Sequence, residues 1–134
     1  MSARSVASFG SLAEALSPHI LVVENDPDLH AVIKTALEFD GHHVTFTAKR
    51  AAAINLLSAV KINLVIADVG LPDGLGTEVV SHAAALGVPS IVMTGHPAYM
   101  DQLALKGVAY IAKPFRLEQL RREIRDKLAA IDAA

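Results

Sequence analysis

Four stretches of the 134-residue chain set polar or charged side chains directly behind short apolar runs. Glu24, Asn25 and Asp26 follow the run 20–23, and Asp68 follows 64–67. Thr94 follows 90–93, and Lys113 follows 109–112. Carboxylates joined by one ammonium and one hydroxyl suit a hard divalent cation and a phosphoryl group. The cation takes oxygens, and the phosphoryl oxygens take positive charge and hydrogen-bond donors. A dinucleotide or flavin phosphate would instead need glycines and free backbone amides, and the 24–26 loop is acidic. Each residue alone has a plain structural use. Asp68 could cap or turn, Thr94 before Gly95 could begin a turn, and Lys113 before Pro114 could be a surface lysine. The weight lies in their recurrence, in order, at the ends of similar runs.

That recurrence carries chemistry only if the runs are strands ending on one edge. They are short and rich in Val and Ile, as strands buried on both faces of a parallel sheet are. Residues 43–46 form a weaker, alternating run. Helical stripes lie between them: Leu29, Val32, Ile33, Ala36 and Leu37; then Ala53, Leu56, Leu57 and Val60; then Val79, Val80, Ala83 and Ala84. A last stripe runs through Leu117, Leu120, Ile124, Leu128 and Ile131, with Glu118 before Arg122 and Glu123 before Lys127 on its solvated side. Segment 97–106 is weakly patterned, with Met100, Leu103 and Ala104 as its apolar candidates. Strand then helix, repeated to the end, predicts an α/β doubly wound parallel sheet with right-handed crossovers. Ligands of such sheets sit outside the carboxyl ends of the strands, at the switch in strand order. Asp26 is placed to cap the first helix with Pro27 behind it, and Gly41, Gly87 and Gly107 each follow a helical run. Residues 1–17 stand outside the repeat and read as an N-terminal extension, flexible or one short turn capped by Ser11 and Glu14. Residues 18–134 form the domain.

Composition narrows the function. A chain of this length is one domain, and 52% apolar against 19% charged residues excludes disorder. Twelve basic and fourteen acidic residues give a net charge of −2, so no general field attracts nucleic acid or an anionic membrane. The one basic cluster, Arg121, Arg122, Arg125 and Lys127, is interleaved with Glu123 and Asp126. With no cysteine, disulfides, thiolate chemistry and Cys-based zinc sites are excluded, and the lack of an i, i+4 histidine pair speaks against zinc altogether. No apolar run approaches the roughly 20 residues that span a bilayer. The opening residues lack a signal-peptide core, which predicts a cytoplasmic protein.

The stretches ILVVENDPDL, LVIADVGLPDG, IVMTG and YIAKPF, in that order at those strand ends, resemble the bacterial response-regulator receiver domain over about residues 18–132. The resemblance implies a flavodoxin-like five-stranded parallel sheet of order 2-1-3-4-5 with five helices, which sets the first loop beside Asp68. It implies that Asp68 is the phosphoacceptor, attacking a phosphohistidine to give an acyl phosphate. Lys113 matches the lysine that pairs with that carboxylate and with phosphoryl oxygens. Thr94 matches the hydroxyl that bonds a phosphoryl oxygen after transfer, and Tyr110 the aromatic residue that turns inward as the hydroxyl moves. Glu24, Asn25, Asp68 and the Gly70 carbonyl match the Mg²⁺ ligands, and the Lys113–Pro114 bond is expected to be cis. His96 and Gly70 match positions that govern how water reaches the acyl phosphate.

One position departs from the pattern. The family has two acids after the first strand, and here the second is Asn25, whose amide can ligate Mg²⁺ but brings no charge. Weaker Mg²⁺ binding is expected. The implied function is a single-domain response regulator, a module of two-component phosphorelay signalling. Its phosphoryl donor is a histidine kinase or histidine phosphotransferase. It is not an enzyme beyond catalysing its own phosphorylation and dephosphorylation. With no output domain expected in 134 residues, its target is another protein, met through the face of the fourth helix, fifth strand and fifth helix. Tyr99, Met100, Gln102 and Phe115 are the candidates on that face. The alternative is a degenerate receiver, a phosphorylation-independent interaction module whose metal site has decayed at Asn25. A phosphatase with an aspartyl nucleophile is disfavoured, because Asp68-Val69-Gly70 lacks a second acid to protonate a leaving group.

Overall fold

A computed structural model describes residues 17–133. The expected extension 1–17, with its Ser11–Glu14 turn, lies outside the described residues except for Ser17. The strands are β1 (His19–Val23), β2 (His43–Thr47), β3 (Leu64–Asp68), β4 (Ser90–Thr94) and β5 (Ala109–Ala112). They alternate with α1 (Pro27–Phe39), α2 (Arg50–Ala59), α3 (Gly76–Ala85), α4 (Pro97–Leu105) and α5 (Leu117–Ala133). All neighbours in the sheet pair in parallel, in the order β2-β1-β3-β4-β5. The doubly wound topology read from the sequence is thus the one observed, and the weakly patterned 97–106 segment is a helix. A two-residue antiparallel ladder, Gly70–Leu71 with Gly74–Leu75, stands between β3 and α3.

Alternation along the buried strands splits the core in two. Leu21, Val23, Val65, Ala67 and Val92 join Ala53 and Leu57 of α2, Val79, Val80 and Ala83 of α3, and Leu103 of α4. On the other face, Ile20, Val22, Leu64, Ile66, Ile91 and Met93 join Ile33 and Leu37 of α1 and Leu120 and Ile124 of α5. Truncating one of these fully buried Ile or Leu side chains to Ala would cost about 2–5 kcal/mol. Four predicted stripe members fall off the core: Val32 is 51% exposed, Val60 42% and Ile131 40%, and Ala84 of α3 is exposed as well. Val32 sits at the edge of the arc that Ile33 and Leu37 press onto the sheet, and Val60 lies past the last turn of α2.

Helix ends follow the residues that mark them. Asp26 Oδ1 accepts from Asp28 N–H at 2.9 Å and from Leu29 N–H at 3.5 Å, with Pro27 opening α1. Gly41 (φ 88°), Gly87 (φ 76°) and Gly107 (φ 71°) take the left-handed conformation just past α1, α3 and α4. The following amide then reaches back into the helix, as in His42 N–H to Leu37 and Val108 N–H to Leu103. These stops send each chain back under the sheet and bring every strand out on the same edge.

Candidate functional site

Two carboxylates and one ammonium meet at that edge. Because β1 pairs directly with β3, the residues after each strand become neighbours: Val23 is opposite Ala67, one step before Glu24 and Asp68. Lys113, just after β5, crosses to them. Its Nζ lies 2.9 Å from Asp68 Oδ2 and 3.1 Å from Glu24 Oε1. The Lys113 N–H also donates to the Thr94 carbonyl at 2.9 Å, which ties the start of the lysine loop to the end of β4. The Lys113–Pro114 bond is cis, as expected.

Burial sets the charge of this cluster. The Glu24 side chain is 2% exposed, against 18% for Asp68 and 28% for Lys113. Glu24 Oε2 is buried with no hydrogen-bond partner. Loss of water, and then the contact with Asp68, pushes the Glu24 pKa from 4.5 up to about 7, although Lys113 pulls the other way. For Lys113, burial alone would lower the pKa, and the hydrogen bonds it donates to Asp68 and Glu24 overcome it, so the ammonium is held above its ordinary 10.5. The lysine is therefore a fixed cation, and Glu24 is the group that titrates near neutrality.

The donor set suits a hard divalent cation: two carboxylates with one oxygen each engaged by Lys113, and a buried Glu24 oxygen in want of a partner. Asn25 and Gly70 are exposed on the loops beside them. Among the described residues no three carboxylates, imidazoles or thiols gather as a metal centre. Two acids are present where a third would stand if residue 25 were Asp. Thr94 is buried, and its Oγ1 accepts from the His96 N–H at 3.1 Å, so the hydroxyl is engaged within its own turn. Tyr110 is 37% exposed on β5, opposite Val92.

A model of the response regulator receiver domain matches residues 20–125. The chain belongs to that family. The KDP operon transcriptional regulatory protein KdpE of Escherichia coli strain K12 is 30% identical to this receiver over 111 residues, 80% of this chain and 49% of that protein. The receiver spans about half the length of the curated relatives it matches. Its fold superposes on a CheY-like receiver domain protein from Methanospirillum hungatei JF-1 with a TM-score of 0.80. Identity there is 30%, covering 87% of this chain and 98% of that one. The receiver domain of sensor histidine kinase PA1611 of Pseudomonas aeruginosa PAO1 has a magnesium ion coordinated in its active-site cleft. It matches with a TM-score of 0.73 and 26% identity, over 84% of this chain and 98% of that one.

Two contacts of the receiver site have no signal in the sequence pattern. His30, on α1, donates from Nε2 to the Glu24 carbonyl, while the Glu24 N–H donates to the Thr47 carbonyl at 3.0 Å. Both main-chain groups of Glu24 are thus fixed, and the Phe46 ring packs on His30 at 4.7 Å between centroids. On the α4-β5-α5 face, Gln102 is exposed, but Tyr99 and Phe115 pack against the two cores and are not free surface. Leu105, 88% exposed at the end of α4, is the apolar side chain that the pattern did not single out. Among the described residues no helix is long and apolar enough to cross a membrane.

Proposed function

We propose that this receiver accepts a phosphoryl group on Asp68 from a phosphohistidine of a histidine kinase or phosphotransferase, in the cytoplasm, and signals by changing its protein contacts. The observation that carries the reading is Lys113 held between Asp68 and Glu24 at the edge where all five strands end. A lysine in that position neutralises the attacking carboxylate and meets phosphoryl oxygens as they arrive. Asp68 Oδ1, the oxygen not held by Lys113, attacks phosphorus. The P–N bond breaks, its electron pair stays on the imidazole, and the product is an aspartyl phosphate. Glu24, Asp68, the Asn25 side-chain oxygen and the Gly70 carbonyl would hold Mg²⁺, which when bound offsets charge on the transferring group.

The switch follows from the hydroxyl. Thr94 leaves the His96 amide to hydrogen-bond the phosphoryl group, and Tyr110 swings from its exposed position into the space vacated. That movement remodels the α4-β5-α5 face, where Leu105 and Gln102 stand exposed for a protein partner. A second reading, a degenerate receiver that signals by binding alone, is favoured by Asn25 and by the two-acid metal site. Intact-mass measurement after incubation with acetyl phosphate and Mg²⁺ separates the two. The phosphoacceptor reading expects one added phosphoryl group on the wild type and none on Asp68→Asn. Modification of Asn25→Asp alone would favour the degenerate receiver. Silence from all three, repeated with a phosphorylated histidine donor, would refute the phosphoacceptor role.

A further inference from the structure

The ladder after Asp68 is fixed at its base and at its tip. At the base, the Gly76 N–H donates to the Val69 carbonyl at 2.7 Å. Gly76 also presses so close that a Cβ there would stand 1.7 Å from the Asp68 carbonyl oxygen. Gly70–Leu71 then pairs with Gly74–Leu75, which leaves Pro72 and Asp73 as the turn. At the tip, Asp73 reaches another element. Its Oδ1 accepts from the Arg50 N–H at 2.6 Å and its Oδ2 from the Ala51 N–H at 3.0 Å. These are the first amides of α2, whose own N-cap residue, Lys49, makes no side-chain cap. Arg50 closes the clamp: Nε donates to the Asp73 carbonyl at 3.4 Å, and Nη1 pairs with Glu78 of α3 at 2.9 Å. The amides of Ala51 and Arg50 hold the Asp73 carboxyl below its ordinary range.

We propose that Asp73 is a positioning residue for phosphoryl transfer, acting through the ladder on the Gly70 carbonyl. The inference rests on the phosphoacceptor reading above. A helix can be capped by its own Ser, Thr, Asp or Asn. Here the cap comes from the loop that leaves Asp68, so ordering α2 also fixes the ladder in which Gly70 pairs with Leu75. The Asp73 side chain is a tether as well as a cap.

Two variants separate those roles: Asp73→Ala, and Asp73→Ala combined with Lys49→Ser, which gives α2 a local cap. Three quantities are read: thermal midpoint, the Mg²⁺ concentration for half-maximal phosphorylation by acetyl phosphate, and amide exchange of residues 69–75 without metal. Asp73→Ala is expected to lower the midpoint, speed exchange, and raise the Mg²⁺ requirement about tenfold, the low end for losing an outer-shell partner. Adding Lys49→Ser is expected to restore the midpoint and leave the other two impaired. The proposal is overturned if Asp73→Ala leaves exchange and Mg²⁺ requirement unchanged, or if Lys49→Ser restores all three together. If the wild type takes up no phosphoryl group from acetyl phosphate or from a phosphorylated histidine donor, the phosphoacceptor reading fails by itself. Exchange at 69–75 then decides the tether: fast exchange that the local cap does not cure supports it, and any other result refutes it.

Discussion

Replacing Glu24 by glutamine is expected to stabilise the metal-free receiver while weakening its chemistry. The Glu24 carboxyl is buried, its Oε2 lacks a partner, and burial raises its pKa from 4.5 to about 7. The folded chain therefore keeps a proton that the unfolded chain releases between those two values. The sign follows directly. Stability from the neutral acid is whole below pH 4.5 and is lost as the pH climbs through about 7. In full, that change corresponds to ~3 kcal/mol against the native state at alkaline pH. Lys113 shares the charge and is partly solvated, so about 1–2 kcal/mol is expected. An amide has the same shape, still accepts from Lys113, and does not titrate. Urea unfolding in EDTA, from about pH 5 to pH 8.5, should show the two proteins converging at the acid end and Glu24→Gln the more stable above neutrality. Saturating Mg²⁺ should then close or reverse the gap, because the wild type gains binding energy that the variant lacks. A constant offset across the whole pH range, or a variant less stable at alkaline pH, would refute the reasoning.

Three further outcomes follow from the same geometry. Asn25→Asp should tighten Mg²⁺ binding by about tenfold, as one more partly screened carboxylate beside a dication would; titration calorimetry showing no gain sinks the idea. Thr94→Val removes the acceptor of the His96 amide and should cost about 1 kcal/mol. It should leave phosphorylation by a small donor in place yet keep the Tyr110 ring resonances in their unphosphorylated positions, and normal Tyr110 movement would break the proposed link. Arg121 grips Asp40 through Nε at 2.8 Å and Nη2 at 2.5 Å, which holds the Asp40 carboxyl below its ordinary 3.8. A depressed acid stabilises above its ordinary value and ceases to as pH falls through the folded one. Arg121→Ala should therefore melt earlier at neutral pH, with the gap to the wild type narrowing as the pH falls below 3.8, and equal midpoints at pH 7 would dismiss the clamp.

The sheet and its polar edge are legible because local rules decide them. Runs such as Ile20 to Val23 and Leu64 to Ala67 have no other way to hide on both faces, and their ends are marked by the first side chain that cannot be buried cheaply. What spacing does not carry is contact across many residues. The reach of Lys113 to Glu24 spans 89 positions and the Asp73 cap 23, and neither leaves a periodic trace. The grip of His30 on the Glu24 carbonyl looks, in sequence, like one more histidine on a helix. Val32 shows the opposite error: a stripe at helical spacing is wider than the arc that the sheet covers, so its flank stays exposed.

The same limit bears on Asn25. From sequence it is a lost ligand charge, with a single consequence for Mg²⁺. In the structure it also adjoins a buried carboxyl that is already costly to ionise. An acid at position 25 would add a second anion beside Glu24, disfavour its ionisation further without metal, and make the site depend more steeply on Mg²⁺. The amide relieves that repulsion, so it lowers the affinity for the ion and also lowers the cost of being without it. Asn25→Asp should accordingly bind Mg²⁺ more tightly and, in EDTA at alkaline pH, unfold more easily than the wild type. A variant that gained affinity with no loss of metal-free stability would show that residue 25 meets the ion but does not couple to Glu24.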